Sequence, residues 1–83
     1  MMNSPSAATP STVKLLIVED HPIVRQGLIR ALEANGFQQI YEAGSCAEGR
    51  GQLAKIDPDI LITDLHLPDG LSFDVIRWAR EIK

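Results

Sequence analysis

Three acidic residues stand where apolar runs stop. Glu19 and Asp20 follow directly on residues 13–18 (VKLLIV), and Asp64 follows on 59–63 (DILIT). Acids at the end of a strand can simply face water, but carboxylates that are brought together repel. At about 4 Å and an effective dielectric near 20, each pair costs on the order of 4 kcal/mol. Convergence therefore calls for a proton or a cation. All-oxygen ligands with room for water suit Mg2+, which prefers six-fold coordination and keeps several waters. A cation beside a carboxylate invites phosphoryl chemistry, in which a carboxylate oxygen attacks phosphorus to give an aspartyl-phosphate. His21 and His66 stand close by in the sequence, yet an oxygen-rich site has no need of imidazole. Both are expected in structural or surface roles.

Whether the acids converge depends on the elements that carry them. The run at 13–18 is short, rich in branched residues and bounded by charge, which suits a strand buried on both faces. His21-Pro22 opens a helix, since proline fits a first turn whose N–H needs no partner. Val24, Leu28, Ala31 and Leu32 recur at helical spacing, and Asn35-Gly36 supplies a stop with Gly36 suited to a left-handed cap. Residues 39–43 (QIYEA) read as a more polar edge strand. Ser45 and Glu48 match a capping box for a second helix. Gly49 and Gly51 each weaken that helix by up to about 1 kcal/mol against alanine, so it is expected to be the frailest. Pro58 ends it, and 59–63 form a third strand leading into Asp64. Residues 67–70 (LPDG) have turn chemistry. A third helix starts at Ser72, with Leu71 and Ile76 placed for a hydrophobic staple and Phe73, Ile76, Ala79 and Arg80 continuing it.

The order β-α-β-α-β-α with short links implies a parallel α/β sheet. With the two apolar strands central, the spatial order is 2-1-3, and right-handed crossovers put the first two helices on opposite faces. The reversal of direction at strand 1 opens a crevice at the carboxyl ends of strands 1 and 3, where such sheets bind ligands. All three acids lie there, which outweighs the reading that they merely face water.

Composition narrows the function. The 83 residues carry 8 Lys and Arg against 11 Asp and Glu, a net charge of −3. No basic field is present to attract nucleic acid, so direct DNA binding by this segment is not expected. Residues 1–12 (MMNSPSAATPST) read as a disordered tail, and 13–83 as one folded unit. The tail lacks the basic start and apolar centre of a signal peptide, and no run approaches the roughly 20 apolar residues of a membrane span, so a cytoplasmic location is expected. A lone cysteine, Cys46, excludes an internal disulfide and is read as a small half-buried residue. Trp78 is read as packing.

The segments LLIVEDHPIVRQGL at 15–28 and PDILITDLHLPDGLSFDVI at 58–76 closely resemble receiver domains of bacterial response regulators. The wording HPIVRQGL is most similar to the NarL/FixJ/LuxR-type subfamily, whose receivers precede a helix-turn-helix output domain. The resemblance implies a flavodoxin-like fold and two-component signalling with a sensor histidine kinase as partner. By it Asp64 corresponds to the phosphoacceptor, and Glu19 and Asp20 to the acidic pair that helps hold Mg2+. The backbone carbonyl of His66 corresponds to the remaining protein ligand, and Pro68 and Gly70 to the loop after the acceptor.

The family's fold has five strands and five helices, and only three of each are found here. No residue corresponds to the Ser or Thr of the fourth strand or the Lys of the fifth. Phosphorylation of Asp64 is therefore expected to be impaired, and the apolar edge of the third strand to self-associate with a second copy. A phosphorylation-inactive binding or dimerisation module is the alternative. A small Mg2+-dependent phosphatase of the haloacid dehalogenase type fits less well, because Asp64 is followed by Leu65-His66 and not by a D-x-D pair.

Overall fold

Sheet pairing follows the alternation of apolar and polar segments along the chain. The computed structural model describes residues 9–64 and 66–82. Three parallel strands, β1 (Lys14–Val18), β2 (Gln39–Ala43) and β3 (Ile60–Thr63), lie in the order β2-β1-β3. β1 pairs with β2 from Lys14↔Gln39 to Val18↔Ala43, and with β3 from Leu15↔Ile60 to Val18↔Thr63. The helices are α1 (Pro22–Ala34), α2 (Cys46–Lys55) and α3 (Ser72–Ile82). This is the expected flavodoxin-like arrangement, with the more polar β2 at one edge.

Because side chains alternate across a strand, β1 serves both faces, and Leu15, Leu16, Ile17 and Val18 are all buried. Leu16 and Val18 join Ala43, Cys46, Leu53, Leu67 and Val75 in one core cluster, so α2 and α3 share a face of the sheet. Leu15 and Ile17, outside that cluster, point to the opposite face, where a right-handed crossover puts α1. The two faces are unequally packed. α1 contributes no fully buried residue, and Val24, expected on its apolar face, is exposed.

The second helix, expected to be frail, is instead the better seated one. It buries Cys46, Gly49 and Leu53. A Cβ at Gly49 would stand 3.2 and 3.4 Å from the methyls of Val18 and 3.6 Å from Val75. The glycine thus lets α2 lie close on β1, a tertiary gain that composition alone does not reveal. Gly51 faces open space and has no such role. Arg50 stacks over the Trp78 ring at 4.6 Å, joining α2 to α3, a contact worth about 0.5–1 kcal/mol at an exposed site.

Helix ends follow local chemistry. Gly36 at φ 94° closes α1, with Gly36 N–H donating to Glu33 and Phe37 N–H to Leu32, the paired bonds of a Schellman motif. At α2 the Ser45 hydroxyl accepts from Glu48 N–H at 3.1 Å, but the Glu48 carboxylate takes the N–H of Gly44 at 2.8 Å, one residue outside the expected capping-box partner. Residues 67–70, expected as a plain loop, form a small antiparallel hairpin of β4 (His66–Leu67) and β5 (Gly70–Leu71). Pro68 and Asp69 make its two-residue turn. The Leu71 and Phe73 side chains lie outside the described residues, and with them the expected staple.

Residues 1–8 of the expected tail also lie outside the described residues. Pro10–Thr12, assigned to the same tail, instead form a 3-10 turn. It is tied to the sheet by Gln39, whose side chain donates to the Ser11 carbonyl at 3.0 Å. No described helix is long and apolar enough to cross a membrane.

The two glycines of α2 should separate under mutation. Gly51→Ala should stabilise the chain by about 0.5–1 kcal/mol through helix propensity and a less flexible unfolded state. Gly49→Ala should instead lower stability, since overpacking at such a contact costs about 1–3 kcal/mol. Urea unfolding measures both. Equal stabilisation by the two changes would show that α2 is not seated on β1 as described.

Candidate functional site

The backbone ladder continues one residue past the strands and delivers the acids. Glu19 N–H donates to the Ala43 carbonyl at 2.9 Å, and Asp64 N–H to the Val18 carbonyl at 3.0 Å. Glu19 and Asp64 are therefore fixed at the carboxyl ends of β1 and β3, where the strand order reverses. Ligating atoms of Glu19, Asp20, His21 and Asp64 all lie within 4.8 Å of one another. The expected convergence of three carboxylates is present, with Glu19 buried and Asp20 and Asp64 half-buried.

His21, assigned a structural or surface role from sequence, belongs to this group. Its side chain is exposed, yet Nδ1 lies 2.7 Å from Glu19 Oε2 and 3.1 Å from Asp20 Oδ1. Its backbone N–H also donates to Glu19 Oε2 at 3.0 Å. With a carboxylate oxygen facing it, Nδ1 is the ring nitrogen that carries the proton. The hydrogen bond to Glu19, then the charge of Asp20, raise the His21 pKa above its ordinary 6.5. Burial pushes Glu19 upward, but the backbone and ring hydrogen bonds from His21 outweigh it and leave the carboxyl below its ordinary 4.5. The signal in the sequence was the position of His21, placed by Pro22 immediately after two acids.

One oxygen has a deficit. Asp20 Oδ1 is sealed from solvent and has no hydrogen-bond donor; His21 Nδ1 is near it but not aligned to donate. A buried carboxylate oxygen without a donor is costly, and a cation removes the deficit. Three carboxylates with one oxygen unsupplied fit a hard, oxygen-seeking divalent ion such as Mg2+. His66 lies elsewhere. It stands on β4 with its side chain exposed, and its imidazole is not among the converging groups.

The segment after Asp64 is anchored at a distance. The carboxylate of Asp69, read from sequence only as turn chemistry, accepts from Cys46 N–H at 2.7 Å and Ala47 N–H at 3.0 Å. These are first-turn amides of α2, which the helix itself cannot pair. The two bonds hold the Asp69 carboxyl below its ordinary 3.8. Gly70 permits the approach, because a Cβ there would stand 3.2 Å from Cys46 Sγ. Cys46 is buried, more so than expected, and burial followed by the Asp69 charge raises its thiol pKa. That is the environment of an inert thiol and not of a nucleophile.

Comparison with known proteins bears on the family and the fold. The family model described as the response regulator receiver domain matches residues 15–83. The chain is 38% identical over 66 residues to the DNA-binding transcriptional activator DevR/DosR of Mycobacterium tuberculosis, covering 78% of this chain and 30% of that protein. It is 40% identical over 67 residues to the KDP operon transcriptional regulatory protein KdpE of Escherichia coli, covering 81% and 29%. The chain thus spans under a third of the length of these relatives. Among solved structures, a MaeR response-regulator mutant bound to sulfate superposes with a TM-score of 0.76 at 30% identity, over 86% of this chain and 59% of that one.

Asp69 carries a pH signature with a definite sign. Its carboxyl is depressed in the folded chain, so its contribution is present above its ordinary value of 3.8 and is lost as pH falls through the lower folded value. Asp69→Ala should therefore lower the melting temperature at neutral pH, and the deficit should shrink on acidification below pH 3.8. Thermal melts across that range, run side by side on both chains, measure it. A deficit independent of pH would mean that the carboxylate does not hold the α2 amides.

Proposed function

The chain belongs to the response regulator receiver domain family, and from that membership we propose that it is a phosphoacceptor module of two-component signalling. In this reading Asp64 accepts a phosphoryl group from a sensor histidine kinase in a Mg2+-dependent step. The observation that carries it is the Asp20 oxygen, buried without a donor inside a cluster of three carboxylates.

Glu19, Asp20 and Asp64 would hold the cation, with the His66 backbone carbonyl as a further oxygen by resemblance to the family. When bound, Mg2+ offsets the charge of the phosphoryl oxygens as transfer proceeds. The protein's part is positioning. The Asp64 N–H bond to Val18 fixes the acceptor at the strand end. A carboxylate oxygen of Asp64 forms the new bond to phosphorus, while the bond from phosphorus to the donor's imidazole nitrogen breaks and its electron pair stays on that nitrogen. Glu19 Oε2 accepts two hydrogen bonds from His21, which disfavours that oxygen as the attacking atom. Ile23, 88% exposed and two residues from His21 in the chain, offers an apolar side chain to a docking partner. The chain is thus a substrate of phosphotransfer and not an enzyme with turnover of its own.

Intact-mass spectrometry of the purified chain with a small phosphodonor and Mg2+ tests the reading. The expected result is a slow, substoichiometric gain of one phosphoryl group, in keeping with impaired phosphorylation, and abolished by Asp64→Asn and by chelation of the metal. A gain that persists in Asp64→Asn would place the acceptor elsewhere. No gain in a chain that binds Mg2+ would favour the alternative of a phosphorylation-inactive binding module.

A further inference from the structure

Arg25 lies in the first two turns of α1, within the HPIVRQGL segment. Its side chain is only 20% exposed, and its planar head is shared between two acceptors. Nη1 donates to the backbone carbonyl of Glu19 at 2.6 Å, and Nε to Oε1 of Glu42 on β2 at 2.8 Å. The carbonyl it grips belongs to the peptide that joins Glu19 to Asp20. Fixing the plane of that peptide fixes the directions in which both carboxylates leave the backbone. Apolar packing does not supply this restraint from α1, which has no fully buried residue. On the other side, Glu42 is held through β2 in register with Ile17 of β1.

We propose that Arg25, oriented by Glu42, is a positioning residue for the cation site, holding the Glu19–Asp20 peptide so that both carboxylates face Asp64. The inference rests on the cation reading above and deepens it. The fork of the guanidinium is essential, because two donors in one plane reach one acceptor on β2 and one just past the end of β1; a lysine retains the charge but not that geometry. Charge and position make opposite forecasts. A guanidinium acting through its charge repels a divalent ion, so its removal would tighten binding. A guanidinium acting through position weakens binding when lost, and groups outside the ligand shell commonly matter by about 10–100-fold.

The experiment is a Mn2+ titration followed by electron paramagnetic resonance of the unbound ion, a probe suited to oxygen ligands. Each variant is measured where far-UV circular dichroism shows it folded. Arg25→Met and Arg25→Lys should each weaken Mn2+ binding by about tenfold, at the lower end of that range. Glu42→Gln should weaken it less, and the Arg25→Met/Glu42→Gln pair should be no weaker than Arg25→Met alone, because the two residues share one contact. If Arg25→Met does not fold, Arg25→Lys and Glu42→Gln decide the matter. Undiminished binding in both of these, or tighter binding in Arg25→Met, overturns the positioning role while the cation site stands. A native chain that binds no Mn2+ overturns the cation reading itself, and this inference with it.

Discussion

Repulsion among carboxylates at the ends of β1 and β3 is the constraint around which the rest of the chain is organised. Three acids whose ligating atoms lie within 4.8 Å are not a low-energy arrangement. At an effective dielectric near 20 each close pair costs on the order of 4 kcal/mol, a large share of the roughly 5–15 kcal/mol by which domains are stable. Two features keep the cluster in place. The parallel ladder continues past the strands through Glu19 and Asp64, so backbone bonds hold the acids together regardless of their charge. His21 then donates its ring N–H to Glu19 at 2.7 Å. What remains uncompensated is the Asp20 oxygen, a deficit that a cation would remove.

The uneven packing of the two sheet faces follows from where rigidity is needed. On the α2–α3 face the core is dense, and Gly49 exists to let a helix approach Val18. That face also receives the hairpin after Asp64, through Leu67 in the core and Asp69 on the amides of α2. On the α1 face, contact is looser and polar bonds replace depth of burial. Arg25 ties the helix to β2 and to the end of β1 at once. Loops that carry function need a scaffold to position them, and here each loop of the site is pinned by one charged side chain: Arg25 reaches into the first from α1, and Asp69 reaches out of the second to α2.

Elements were legible in the sequence wherever the signal is local. The run at 13–18, the helix stop at Asn35-Gly36 and the strand leading into Asp64 depend on neighbours within a few residues, and the 2-1-3 order follows from apolar content and handedness. The three acids were legible for the same reason: each ends a strand, and topology brings strand ends together. What escaped is long-range. Asp69 has ordinary turn chemistry until its partners, 22 and 23 residues away, are known. Gly49 looked like a weakness because propensity counts the helix alone and not the strand beneath it. His21 looked dispensable because an oxygen site needs no imidazole as ligand, although it can use one as a donor. The hairpin at 66–71 escaped because two-residue strands leave no period to read.

The choice of bonding partners around the cluster has its own logic. Arg25 reaches the backbone carbonyl of Glu19 and not its carboxylate, and spends its charge on Glu42. A guanidinium paired side-on with Glu19 would have neutralised the site permanently, because it does not deprotonate in proteins and its fork matches a carboxylate in two bonds. Directed at the carbonyl, it restrains the chain and leaves the carboxylate oxygens to other partners. Among the described residues, the cationic group that does touch those oxygens is His21, whose charge is conditional. A permanent cation set outside the ligand shell and a conditional one inside it let the acids be held rigidly and still remain open to a metal ion.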